Sequence, residues 1–208
     1  MVAFEIVAYL MAAVASCAAT LGAVWLRHKL QKNEKCDTVA EETKHNENVY
    51  AALNFALEEM GADRAYVLEF HNGIHYFSGR SQQKFSCTYE IVQEGISTEC
   101  QASQDHKIST YHTYISELVK NEKFEYTDIK HIEDHVFGGL LRHKGVKSIY
   151  NVPIKTLNGK IIGILGVDYV KQHAVKDNAE NNTQAKIFNE DTSSFMQRQA
   201  RVMAGYLL

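Results

Sequence analysis

The chain has 208 residues, 45% of them hydrophobic, with 22 basic and 25 acidic side chains and a net charge of −3. That balance implies no general attraction to nucleic acid or anionic lipid, and no nucleic-acid partner is expected. A single proline and the absence of a low-complexity tract exclude a long disordered chain, and four cysteines without a CxxC pair give no zinc-ligand spacing.

Residues Ile6 to Leu26 carry no formal charge, and Arg27, Lys29, Lys32 and Lys35 follow them. As a helix such a run is long enough to cross a hydrocarbon core of about 30 Å. The spacing therefore predicts a transmembrane helix over 6–26, with a short outer end at 1–5. A cleaved signal peptide would want a basic start, whereas Glu5 is the only charged side chain before the run. A lipoprotein site at Cys17 would require a polar continuation, yet the chain stays apolar to Leu26. Basic residues flank only the C-terminal side, which places 27–208 in the cytoplasm under the inner membrane.

Residues 27–47 are polar, rich in helix formers and free of Gly and Pro, and read as a helical stalk. Val49, Leu53, Ala56, Leu57 and Met60 then form one apolar stripe of a helix that Gly61 ends. Ala65–Phe70 reads as a strand, His71-Asn72-Gly73 as a turn, Ile74–Phe77 as a short return strand and Phe85–Val92 as a third strand. Residues 95–107 show no period. Ser109–Lys120 and roughly 130–144 carry helical spacing. Ser148–Ile154 and Ile161–Tyr169 are strands joined through Asn158-Gly159, read as a type I′ hairpin. Gly163 and Gly166 leave room on the strand for a helix or ligand to approach. Residues 171–184 read as a polar, Asn-rich loop, and Asn189 as the N-cap of a closing helix with Phe195, Val202, Met203, Tyr206 and Leu207 on one side. The order gives an α+β domain with one mostly antiparallel sheet flanked by its first and last helices.

Tyr126-Thr127-Asp128, Gly145-Val146-Lys147-Ser148, Val152-Pro153 and Asn158-Gly159-Lys160 through Gly163-Ile164-Leu165 carry a resemblance to GAF-type sensor domains. Met60-Gly61-Ala62-Asp63 resembles the junction of the first helix and first strand of that family. The resemblance covers 48–208. Residues 71–95 depart from the commonest pattern, and their wording is similar to GAF-like proteins encoded by bacteriophages; in a viral protein the membrane would be the host's inner membrane.

The resemblance implies a pocket between the sheet and the helical middle, lined by Phe77, Lys84, Ser86, Tyr89, Glu90, Asp128 and His131. A lysine with hydroxyls and an aromatic ring suits a phosphate-bearing purine, so a small molecule such as a nucleotide is the expected ligand. No cofactor, metal or catalytic residue is expected. His71/His75 and His131/His135 supply two ligands where zinc wants three or four. Cys87 and Cys100 would be the thiols if the chain shared the sulfoxide chemistry of some GAF relatives. With no output domain expected after the closing helix, the end helices would serve a homodimer. The expected function is a membrane-tethered, non-enzymatic module that senses a cytoplasmic small molecule or docks a partner. The alternatives are a structural or morphogenetic membrane protein using the fold for interaction only, and a thiol-dependent sulfoxide reductase.

Overall fold

In the computed structural model the described residues are 11, 14, 16–27, 29, 38–171, 175–178, 183–186 and 188–208. The chain divides into two units, Met1–Thr43 and Lys44–Leu208. In the first, the described residues up to 29 are helical. No helix among the described residues is long and apolar enough to cross a membrane. The run expected to span, 6–26, lies partly outside those residues, as does most of the stalk between 27 and 37.

The second unit takes in helix α1, Thr38–Met60, from Lys44 onward, and the stripe there is buried as the 3.6-residue period requires: Val49, Leu53, Ala56, Leu57 and Met60 are all 5% exposed or less. Gly61 ends it at φ +56°, with its N–H donating to Glu58 O and that of Ala62 to Leu57 O. This paired closure satisfies the last carbonyls and turns the chain into the sheet.

Six strands follow in the order β3-β2-β1-β6-β5-β4, every pair antiparallel. They are β1 Arg64–His75, β2 Ser81–Val92, β3 His106–Lys107, β4 Phe124–Tyr126, β5 Ser148–Lys155 and β6 Ile161–Tyr169. One face carries Ala65, Val67, Tyr150, Val152 and Leu165 against α1 and the closing helix α4, Glu190–Tyr206, which contributes Met196, Ala200 and Met203. The other face carries Tyr66, Leu68, Phe85 and Ile164 against α2, His112–Asn121, and α3, His135–His143. Period-two alternation along the strands supplies both cores. The expected α+β architecture and its flanking end helices are present, and Asn189 caps α4 by accepting from Thr192 N at 2.8 Å.

Several local expectations are corrected. His71-Asn72-Gly73 does not turn the chain: β1 runs on to His75, with an irregularity between Asn72 and His75 that absorbs Gly73. The reversal comes at 76–80, where Gly79 N donates to Tyr76 O and Tyr76 N to Arg80 O. The hairpin at Asn158-Gly159 is likewise a three-residue loop. Gly159 N donates to Thr156 O, Thr156 N donates to Lys160 O, and positive φ is confined to Gly159. A type I turn followed by one left-handed glycine meets the twist of the strands, so Asn158 does not need positive φ. The helix expected over 130–144 is a single 3-10 turn, Ile129–His131, and then α3, which starts where the Asp134 carboxylate accepts from Val136 N and Phe137 N. Within 171–184 the described residues form part of an antiparallel ribbon, β7 Val175–Asn178 with β8 Thr183–Lys186, which pairs its own backbone groups apart from the main sheet.

Candidate functional site

On the α2/α3 face, a cavity of about 50 Å³ lies between β1, β2, β5 and β6 below and α3 with residues 99–106 above. Its floor holds Tyr66, Asn151 and Asp168; Glu90 and Cys87 come from β2, Lys144 from the end of α3, and Glu99, Ser103 and His106 from the covering segment.

The floor is a chain of hydrogen bonds. Tyr66 Oη donates to Asn151 Oδ1 at 2.9 Å, and Asn151 Nδ2 donates to Tyr114 Oη at 2.7 Å. Gly166 makes this possible: a Cβ there would run into the Tyr66 ring and Asn151 Oδ1. The gap that Gly166 leaves is thus filled by a neighbouring strand's tyrosine rather than by a helix or ligand. Gly163 is closed in the same way, its Cβ position lying 2.6 Å from Leu68 O.

Beside the floor, Arg64 Nε donates to Asp168 Oδ1 at 2.8 Å, both residues being buried. The guanidinium also reaches Ser97 O at 3.3 Å and Lys144 O at 3.2 Å, with Glu99 Oε1 at 3.7 Å. Burial pushes the Asp168 carboxyl up to about 6, against the pull of Arg64. Burial lowers the Lys144 ammonium, whose Nζ donates to Ser103 Oγ. Glu90 Oε2 accepts from Glu99 N at 2.8 Å and Cys100 N at 2.9 Å, pinning the covering segment to β2. His106 is held below its usual range by burial and by Lys144, and its buried Nε2 has no hydrogen-bond partner among the described residues. Three carboxylates thus face two cations around a cavity with one unused imidazole nitrogen. This is a poor place for a phosphate and a good one for a small neutral or amine-bearing group.

Of the residues expected to line a pocket, Glu90 lines this cavity. Tyr89 is on the opposite face, its hydroxyl donating to Asn46 Oδ1 and its ring against Tyr50. Ser86 Oγ contacts His71 Nε2 at 2.8 Å and accepts from Asp105 N, while Lys84 pairs with Asp105 at 2.7 Å. Phe77 stands fully exposed at the tip of the β1–β2 hairpin. Asp128 caps the 3-10 turn by accepting from Lys130 N, and with His131 lines a separate groove beside Glu125 and Tyr126. The seven therefore do not converge.

Sequence reasoning passed over Arg64, Lys144 and Asp168 as site residues, although a charged residue closing the apolar run Ile161–Val167 is a visible signal. Cys100 Sγ donates to Cys87 O at 3.2 Å, and burial pushes the Cys87 thiol up, away from the thiolate that redox chemistry needs. No group of three His, Cys, Asp or Glu side chains among the described residues could hold a metal ion.

No family model and no curated protein matches the sequence. Solved structures do match the fold. The photoproduct state of a GAF domain from Synechocystis sp. PCC6803 is 10% identical with a TM-score of 0.57, over 78% of this chain and 92% of that one. The blue-light absorbing form of the PixJ GAF domain of Thermosynechococcus elongatus is 16% identical with a TM-score of 0.58, over 83% and 89%. The GAF domain region of a Geobacter sulfurreducens protein described as a membrane protein is 18% identical with a TM-score of 0.52, over 80% and 97%. Nothing in these likenesses bears on a bacteriophage source. At such identities they speak for architecture alone, and the architecture of this chain is GAF-like.

Proposed function

We propose that the chain is a membrane-tethered sensory module of GAF-like fold, held at the inner membrane through residues 6–26 with its domain in the cytoplasm. The ligand is a small polar molecule without net negative charge, taken up in the cavity under α3. The observation that carries this reading is the free, buried His106 Nε2 beside Glu90, Glu99 and Lys144, since buried polar atoms in folded proteins find partners. A ligand would complete that set and bridge the covering segment to β2. A homodimer through α1 and α4 would pass the change on, and the half-exposed Phe55, in edge-to-face contact with Phe195, lies on that helical layer. The module works by binding, without catalysis.

A second reading, a fold used only for interaction, is favoured by the cavity's size: about 50 Å³ against the roughly 300–1,000 Å³ of drug-sized ligand pockets. Thermal-shift measurements on the full chain with amino acids, small amines and nucleotides separate the two. Stabilisation by a small amine or zwitterion, lost in His106→Phe, supports the sensor. Stabilisation by nucleotides instead moves the ligand class to the phosphate-bearing purine. No shift with any of them, in a chain that still dimerises, leaves the interaction reading.

A further inference from the structure

The β1–β2 and β5–β6 hairpins are built alike. In each, a type I turn leads into one left-handed glycine, with Gly79 at φ +79° and Gly159 at φ +82°. The sequences match by residue type, Phe77-Ser78-Gly79-Arg80 against Leu157-Asn158-Gly159-Lys160. Each turn puts one large apolar side chain at its outermost position: Phe77 is 112% exposed and Leu157 109%. Ile74, just below the first tip, is 72% exposed.

Both tips leave the sheet at the same end. β1 pairs antiparallel with β6 in a register that ends at Glu69↔Gly163, so the strand leaving 69 and the strand arriving at 163 point the same way out. The hairpins occupy neighbouring pairs in the order β2-β1-β6-β5, which sets their axes about 10 Å apart at 4.8 Å per strand. Neither Phe70–Lys84 nor Asn151–Gly163 contains an Asp or Glu. The cations nearest the tips, Arg80 and Lys160, are exposed and make no ion pair among the described residues, whereas Lys84 and Lys155 are paired with Asp105 and Glu122. The net charge of −3 therefore conceals one end that carries only positive charge between its tips.

We infer that this end of the sheet docks on an anionic lipid bilayer, with Phe77 and Leu157 entering the interface and Arg80 and Lys160 on the headgroups. Separate apolar points flanked by cations suit a fluid surface, which closes around each point. A protein partner would need a pocket for each, and a second copy of the same end would bring like charges together. The inference rests on the hairpins and holds with or without the anchor at 6–26.

The test places the chain's own reporter at the tips. In a Trp25→Phe background, which removes the one native tryptophan, Phe77→Trp and Leu157→Trp are prepared separately, with Glu94→Trp on the β2–β3 connection as the control. Each full chain is reconstituted in vesicles of phosphatidylcholine alone or with phosphatidylglycerol, both containing a brominated acyl-chain quencher. The expected result is blue-shifted, quenched emission from both tips in the phosphatidylglycerol vesicles, and none from position 94. Adding Arg80→Glu and Lys160→Glu should cut the phosphatidylglycerol effect at least about ten-fold, since each cation near an anionic surface is worth about five-fold. Tips that stay unquenched, quenching indifferent to phosphatidylglycerol, or equal quenching at 94 would overturn the inference. So would a blue shift that follows protein concentration without lipid, which would assign the tips to a second copy.

Discussion

Arg64 and Asp168 face each other across the β1–β6 ladder, Nε to Oδ1 at 2.8 Å, although 104 positions separate them in sequence. The same guanidinium holds the Ser97 carbonyl, two residues before the covering segment, and the Lys144 carbonyl at the end of α3. One side chain therefore ties the sheet to both parts of the cavity roof. Replacing it by Met leaves the buried Asp168 without its ion-pair partner, a change that costs about 3–5 kcal/mol when a buried pair loses one member. For a domain of this size that lowers the melting temperature by about 10 °C. Thermal melts of the full chain and the Arg64→Met variant check it.

The same pair sets a pH dependence of unusual sign. Asp168 is pushed up to about 6 in the fold, above the roughly 3.9 of an exposed aspartate. Between those values the folded chain holds a proton that the unfolded chain has lost, so this group's contribution is full below about pH 4 and declines as pH rises through 6. The advantage of the parent over Asp168→Asn should accordingly shrink by about 2 kcal/mol from pH 4 to pH 7, at 1.36 kcal/mol per pKa unit. Paired denaturation curves at the two pH values decide it; an advantage that grows with pH would refute the burial argument.

The fold was legible wherever one period rules a segment. Val49, Leu53, Leu57 and Met60 show the stripe of α1 directly, and Asn189 shows the start of α4. The site was not, because β2 changes faces midway. Opposite Val67 and Leu68 the pairing jumps from Tyr89 to Cys87, so Thr88 is an extra residue. Such a bulge turns Tyr89 toward α1 while Cys87 and Phe85 stay on the cavity side, although in a regular strand all three would share a face. No composition rule marks the bulge; a regular strand would keep Lys84, Ser86 and Glu90 on one face, and the extra residue Thr88 brings Glu90 to the cavity side without them. Arg64 was hidden for another reason: its partners lie on three elements whose meeting depends on the whole topology.

Gly166 offers a test of the cavity floor. Its α-hydrogen faces the Tyr66 ring and the Asn151 amide, and a methyl group there forces one of them to move. Gly166→Ala should cost about 1–3 kcal/mol as an overpacked site and break the Tyr66–Asn151 bond. Tyr66→Phe, which removes the bond but not the ring, should cost about 1 kcal/mol. A Gly166→Ala loss no larger than that of Tyr66→Phe would show that the ring can shift freely.

The two domain thiols should differ in reactivity. Cys87 is buried, and burial with the neighbouring Cys100 pushes its thiol up, so it stays protonated at neutral pH. Iodoacetamide should modify Cys100 well before Cys87 in the folded chain, and denaturant should remove the difference. Peptide mass spectrometry over a time course reads this directly. Faster labelling at Cys87 would restore the thiol-enzyme reading.

Glu90 is the residue on which sequence expectation and structure meet, and its role can be separated from the cavity's. Its Oε2 takes two backbone N–H groups, Glu99 at 2.8 Å and Cys100 at 2.9 Å, as the main side-chain clamp on the covering segment. Hydrogen bonds to a charged acceptor contribute about 1.5–3 kcal/mol each, and neutral ones about half of that. Glu90→Gln keeps the oxygen and loses the charge, so it should weaken the clamp without emptying the site. The amides of Glu99 and Cys100 should then exchange hydrogen on the order of ten-fold faster, while those of β1 and β6 stay protected, because local opening of the segment need not unfold the sheet. If a ligand bridges His106 to β2, its addition should restore slow exchange at the same two amides in the variant. Equal acceleration across the whole sheet would mean that Glu90 supports the fold and not the lid over the cavity.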